Sequence, residues 1–310
     1  MKIGFLFSGQ GAQSVGMGKD LYEAYEEIRN LYEKVQKATG IDVAELTFNS
    51  SDEILAQTNN SQITIYTMCL GILEILKANG IEAEEIAGLS LGEYTALTYA
   101  GCFDIETGVK LVAKRGEIME ANIPEGNWQM AGILGLPDEE AEKACKNVTK
   151  GFVVPANYNC PGQVVAAGSS EGIAELDEKA KALGAKKVSI FNAKGPFHTE
   201  KMEKAADILH DELSKINIKM PNIKVYKNLD SKEYTTEDNI VEILTAHTKS
   251  PVHFSGIISN MIADGVDTFV EIGPGRVLTS LVKRVSREVK LININSKESL
   301  EQAISELKGE

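Results

Sequence analysis

Residues 86–92 read Ile86-Ala87-Gly88-Leu89-Ser90-Leu91-Gly92, and the apolar run before the serine gives way to a helical pattern over about 91–100. A strand that turns into a helix at Gly-x-Ser-x-Gly is the context of a nucleophile elbow and points to an α/β architecture. The small residues two positions to either side admit the sharp turn and leave the Ser90 hydroxyl in the open. The serine also falls near a helix amino terminus, where free N–H groups favour a developing anion. Gly101 follows that helix as its C-cap glycine.

The same alternation of short apolar runs and helical patterns extends outward from the turn. A strand is expected at 3–7, helices at about 16–38 and 61–79, and a further helix at 105–122. Residues 125–193 follow an order of their own: strand at 130–135, helix at 137–147, strands at 152–157 and 163–168 around Asn159-Cys160-Pro161-Gly162, helix at 170–183 and strand at 186–191. That order, βαββαβ, is the ferredoxin-like split unit. The expectation is therefore an α/β domain of residues 1–124 and 194–310 carrying a small ferredoxin-like insertion at 125–193, with a cleft at the junction. In the second half, helices are expected at 199–215, 236–248 (opened by Thr236-Glu237-Asp238) and 252–264, with strands near 223–228 and at 268–272 before Gly273-Pro274-Gly275.

With 43% apolar and 25% charged residues the chain has the composition of a soluble globular protein. Its apolar runs fall short of the roughly 20 residues of a membrane span, and the first is too short for a signal-peptide core, so a cytoplasmic protein is expected. Cys69, Cys102, Cys145 and Cys160 are far apart and the histidines are unclustered, which suggests neither disulfides nor a metal site. A net charge of −13 argues against nucleic acid as the main partner. An acidic partner would need a local basic patch. Lys283, Arg284, Arg287 and Lys290 are the best candidate, gathered on one side if the segment is helical.

A nucleophilic serine needs a base. His210 lies in a charged helix, and His253 offers no distinguishing feature. His198 stands in the loop Lys194-Gly195-Pro196-Phe197-His198-Thr199, where the chain leaves the insertion, and is the best candidate. No loop aspartate between Ser90 and His198 stands out as a third member, so a backbone carbonyl is a possible orienting acceptor for the imidazole. His247 continues the apolar face of Ile240, Ile243 and Leu244 and should point inward. Arg115 falls in the otherwise apolar row Gly108, Val112, Met119; directed inward, it must find an anion, either an internal carboxylate or that of a substrate. Ser8-Gly9-Gln10-Gly11 follows the first strand, and its N–H groups, with that of Leu91, could form an oxyanion hole.

Together these residues resemble the malonyl-CoA:acyl carrier protein transacylase family of acyltransferases. The resemblance is carried by Phe7-Ser8-Gly9-Gln10-Gly11-Ala12-Gln13, Gly88-Leu89-Ser90-Leu91-Gly92-Glu93-Tyr94, Lys114-Arg115-Gly116, Ala156-Asn157-Tyr158-Asn159-Cys160-Pro161-Gly162-Gln163, Phe197-His198 and Glu271-Ile272-Gly273-Pro274-Gly275. It implies an α/β-hydrolase-like core, Ser90 as nucleophile, His198 as base, Arg115 as clamp on the malonyl carboxylate, and the amides of Gln10 and Leu91 as oxyanion hole. Malonyl-CoA and acyl carrier protein are the implied partners, with Lys283, Arg284 and Arg287 as candidate dock and no metal or redox cofactor. Phe197 looks like the malonyl-selecting form of its position. Two residues depart from the family: Leu89 where histidine is usual, and His247 where glutamine is common and its carbonyl orients the catalytic histidine. The alternatives are an acyltransferase of a polyketide pathway, or a hydrolase passing the acyl group to water.

Overall fold

The computed structural model describes every residue except Asn192, Lys194 and Glu310. In chain order its first elements are β1 (Ile3–Phe7), α1 (Lys19–Ala24), α2 (Glu26–Thr39), α3 (Val43–Phe48), α4 (Asp52–Leu55), α5 (Thr58–Ala78), β2 (Glu85–Gly88), α6 (Leu91–Tyr99) and α7 (Ile105–Ala121). There follow β3 (Trp128–Leu134), α8 (Asp138–Lys146), β4 (Val153–Cys160), β5 (Gln163–Ser169), α9 (Ser170–Ala182) and β6 (Lys187–Phe191). The chain ends with α10 (Glu203–Leu213), β7 (Lys224–Val225), α11 (Ile240–Thr248), α12 (Phe254–Ala263), β8 (Thr268–Ile272), α13 (Val277–Val285), β9 (Lys290–Ile294) and α14 (Lys297–Lys308).

Two sheets organise the molecule. One is parallel throughout, in the order β7-β2-β1-β8-β9, and the other is antiparallel, in the order β4-β5-β3-β6. In the parallel sheet both faces are covered, as the period of a strand requires for a continuously apolar run. Phe5 and Phe7 enter one core with residues of α2, α5 and α7, while Leu6 between them enters a second core with Phe254, Ile257 and Leu281. The antiparallel sheet divides likewise. Ala131, Ile133, Val164 and Ala166 pack under α8 and α9, whereas Met130, Val165 and Ala167 join the main core. The element order from β3 to β6 is the βαββαβ expected, and its sheet shares a core with the rest of the chain.

Local chemistry moves several boundaries. The helix expected at 16–38 is two, because Gly16 and Gly18 adopt positive φ and Tyr25 is extended, its N–H closing α1 on the Leu21 carbonyl. The helix expected from 236 begins at Ile240: Asn239 caps the N–H groups of Val241 and Glu242, while Asp238 turns away to Lys227. At 199–215 a 3-10 turn, Glu200–Met202, precedes α10. Of the strand near 223–228 only Lys224–Val225 pairs with β2. The basic cluster is not one helix face. Ser286 is extended and ends α13, so Arg287 lies beyond the helix and Lys290 begins β9.

No helix among the described residues is long and apolar enough to cross a membrane.

Candidate active site

The carboxyl ends of β1, β2 and β8 lie side by side, so the loops after Phe7, Gly88 and Ile272 open on one crevice. Glycine is dictated there by contact. A Cβ on Gly88 would lie 2.0 Å from the carbonyl carbon of Gly92, and one on Gly92 would lie 2.2 Å from the Phe7 oxygen. On Gly9 it would lie 2.4 Å from the Leu89 oxygen, which sets the loop after β1 against the turn after β2. Between these close approaches Ser90 is forced to φ 53°, ψ −102°, outside the regions L-residues favour. His198, at φ 60°, is also left-handed; strain of about 1–3 kcal/mol per residue persists where surrounding structure over-determines it.

The two strained residues meet. Ser90 Oγ is 2.8 Å from His198 Nε2, and His198 Nδ1 is 3.0 Å from the carbonyl oxygen of His247. A carbonyl can only accept, so Nδ1 carries the proton and Nε2 is left to accept from the serine. Burial, then the neighbouring His247 and Arg115, hold the imidazole well below its usual 6.5. His198 is therefore neutral at physiological pH, the state in which it can take a proton.

Arg115 completes the cluster from α7. It is almost fully buried; Nη1 donates to Gln62 Oε1 at 2.6 Å, Nη2 lies 3.5 Å from Ser90 Oγ, and the guanidinium sits 4.8 Å from the centre of the Tyr94 ring. No carboxylate pairs with it among the described residues, and its Nε has no partner there. Of the two anions the sequence left open, the internal one is not what faces Arg115. Among the described residues this buried charge is answered by an amide oxygen, the Ser90 hydroxyl at 3.5 Å and a π face, none of them an anion, so the pocket favours an anion. Gln62 also reaches Gln10, whose Oε1 is 3.4 Å from Gln62 Nε2. The backbone amides of Gln10 and Leu91 donate to no group among the described residues.

Other residues of the site carried no evident signal. Asn228, just past β7, accepts from the Ser90 N–H at 2.8 Å and donates to the Gly88 carbonyl at 2.7 Å, pinning the turn from both sides. Glu93 is wholly buried and accepts from Tyr234 Oη at 2.6 Å and from the Asn228 N–H at 3.3 Å, while its Oε2 lies 3.1 Å from His247 Nδ1. Only Glu93 lay within a quoted motif; Asn228 and Tyr234 are over 130 positions from Ser90 and arrive by tertiary folding. Phe197 is buried, its ring about 3.0 Å from where a Gly195 Cβ would stand, while Lys194, which opens that loop, lies outside the described residues. His210 is at the surface against Glu242, and His253 stacks on Tyr158 with ring centres 5.0 Å apart.

Residues 4–308 match the acyl transferase domain family, and the chain belongs to that family. Its curated relatives are more particular. The chain is 40% identical, over all of its length and 98% of the relative's, to the malonyl CoA-acyl carrier protein transacylase of Bacillus subtilis. The crystal structure of malonyl CoA-acyl carrier protein transacylase from Clostridium perfringens is similar at a TM-score of 0.95 and 39% identity, covering 100% of this chain and 98% of that one. A malonyl-transacylase solved in complex with its type II PKS acyl-carrier protein also reaches a TM-score of 0.95 at 33% identity, covering 99% of this chain and 100% of that one.

Proposed function

We propose that this chain transfers the malonyl group from malonyl-CoA to the phosphopantetheine thiol of an acyl carrier protein, through a malonyl ester on Ser90, in fatty acid synthesis in the cytoplasm. The observation that carries the reading is the convergence on Ser90 of a neutral, carbonyl-oriented histidine and a buried arginine that no carboxylate among the described residues answers. The core would be α/β-hydrolase-like, formed by residues 1–124 and 194–310, with a ferredoxin-like subdomain at 125–193.

His198 Nε2 takes the Ser90 proton as Oγ bonds to the thioester carbonyl carbon, and the negative charge that develops on the carbonyl oxygen is stabilised by hydrogen bonds from the free amides of Gln10 and Leu91. The C–S bond breaks, the imidazolium returns its proton to the departing thiolate, and CoA leaves. The carrier thiol then gives its proton to His198 and attacks the ester, and Ser90 recovers its hydrogen. Throughout, Arg115 grips the malonyl carboxylate with two of its guanidinium nitrogens, and Phe197 narrows the space where a 2-methyl branch would sit. Leu89, in place of the usual histidine, leaves the Ser90–His198 pair untouched.

Transfer and hydrolysis share these residues, and the acceptor separates them. CoA release from malonyl-CoA is expected to stop after one equivalent and to resume when holo carrier protein is added; steady release without it would assign the chain to hydrolysis.

The carrier protein's dock is proposed at a groove of about 1440 Å³ lined by Lys186, Lys187, Lys283, Arg284 and Arg287, against Asp138 and Glu139. The two lysines come from the small sheet's side and were not evident in the sequence. The charge excess suits an acidic partner, although Ser90, His198 and Arg115 are not among its lining residues. Reversing Lys283 and Arg287 to glutamate is expected to raise the carrier-protein KM about tenfold, more at low salt, with the malonyl-CoA KM unchanged. An unchanged carrier KM would place the dock elsewhere.

A further inference from the structure

Gln62 is buried against Arg115 because Gly116 lets α5 approach α7. A Cβ on Gly116 would lie 2.7 Å from the Asn59 Cα, so the start of α5 packs directly on α7 at the residue beside Arg115. Gln62 follows Asn59 by one helical turn on the same face, and both it and Arg115 are 1% exposed. A guanidinium only donates, so the Gln62 atom 2.6 Å from Nη1 is the amide oxygen. Gln62 Nε2 is thereby turned to two acceptors, Gln10 Oε1 at 3.4 Å and Met119 Sδ at 3.5 Å, and Gln10 Nε2 in turn reaches Thr58 Oγ1 at 3.4 Å. The donor order thus runs one way, from Arg115 through Gln62 and Gln10 to Thr58. Every side chain beyond the guanidinium in that chain is neutral. A carboxylate, that of Glu120, enters only at its far end, on the Thr58 N–H at 2.8 Å.

We propose that Gln62 is a positioning residue that sets acyl specificity: its neutral oxygen aims the Arg115 fork while leaving the charge for a substrate carboxylate, and its Nε2 ties that fork to Gln10. The inference deepens the malonyl reading and rests on Arg115 as the carboxylate clamp. Gln10 is the residue whose backbone amide is assigned to the oxyanion hole, so the tie fixes the two ends of the acyl group relative to each other. A carboxylate of the same shape at position 62 would pair with Nη1 inside the protein before any substrate arrived. A malonyl group would then have to displace that partner or bring a second negative charge into a buried pocket. An acetyl group carries no charge and meets neither obstacle. Selection of the charged acyl group therefore comes from an arginine paired with an amide, rather than from the arginine alone.

Gln62→Glu supplies the internal anion with almost no change of shape, and the Gln10 amide can turn over to donate to it. Its expected effect is a fall of about 100-fold in kcat/KM for malonyl-CoA, carried by KM, with acetyl-CoA within about threefold of wild type. Retained acetyl transfer also reports that the variant is folded. A malonyl-to-acetyl ratio that stays at its wild-type value overturns the proposal. Arg115→Ala separates this failure from failure of the parent reading. If that variant loses both thioesters equally, Arg115 is not the clamp and both fall; if it loses malonyl selectively while Gln62→Glu does not, only the role of Gln62 falls. Should Gln62→Glu fail to fold, Gln62→Met, which removes the acceptor and adds no charge, decides the matter. A loss about tenfold larger for malonyl-CoA than for acetyl-CoA is expected there, and equal losses overturn the proposal.

Discussion

Ser90→Ala is expected to cut malonyl transfer by on the order of 10⁴-fold or more while leaving the fold intact, because the nucleophile's removal costs about as much as that of the whole catalytic unit. Alanine fits without new contacts: Ser90 makes its structural bond to Asn228 through the backbone N–H, which alanine keeps. The left-handed strain at φ 53° is unchanged in kind, so thermal stability should move little. Among the described residues the hydroxyl's partners are His198 and, at 3.5 Å, Arg115. Comparing initial rates of malonyl-carrier formation between wild type and variant, with thermal midpoints as control, checks this. A variant with near-normal rate would leave binding as the chain's sole role.

Arg115→Ala tests a different part of the site. Its expected effect is a loss of about 10²–10³-fold in kcat/KM for malonyl-CoA, the value of a desolvated charge-assisted pair, with a much smaller loss for acetyl-CoA. The asymmetry is the decisive quantity, since only the malonyl group carries a carboxylate. Arg115 also touches Gln62, Tyr94 and Ser90, and truncation will loosen them for any substrate. Equal losses for the two thioesters would reduce Arg115 to a structural role.

How much of this was legible in the sequence follows from the range of the interactions. The turn at Gly88–Gly92 was readable because its demands are local: a strand end, a helix start and glycines where a Cβ would strike backbone. The βαββαβ order was readable from periodicity, and Arg115 from one charge in an apolar helical row. The helix break at Tyr25 was not, since the residue, extended at φ −116°, ψ 124°, has no turn chemistry of its own. The basic cluster misled for a related reason: helical spacing ran past Ser286, where the chain extends and turns into β9. Within the site, Asn228, Tyr234 and the Glu93–His247 contact depend on chain segments far apart in sequence. His247 could be placed facing inward, but its partner could not be named from one helix.

The account's central claim is that the acyl group rests on Ser90 between two thiols. Intact-mass measurement of the wild-type protein after malonyl-CoA, with the adduct located by peptide mapping, tests it most directly. The expected result is one malonyl group per chain, on the peptide containing Ser90, lost when holo carrier protein is added and gained by that protein. Carrier-protein malonylation with no adduct on the enzyme, or an adduct on any other residue, would contradict the account.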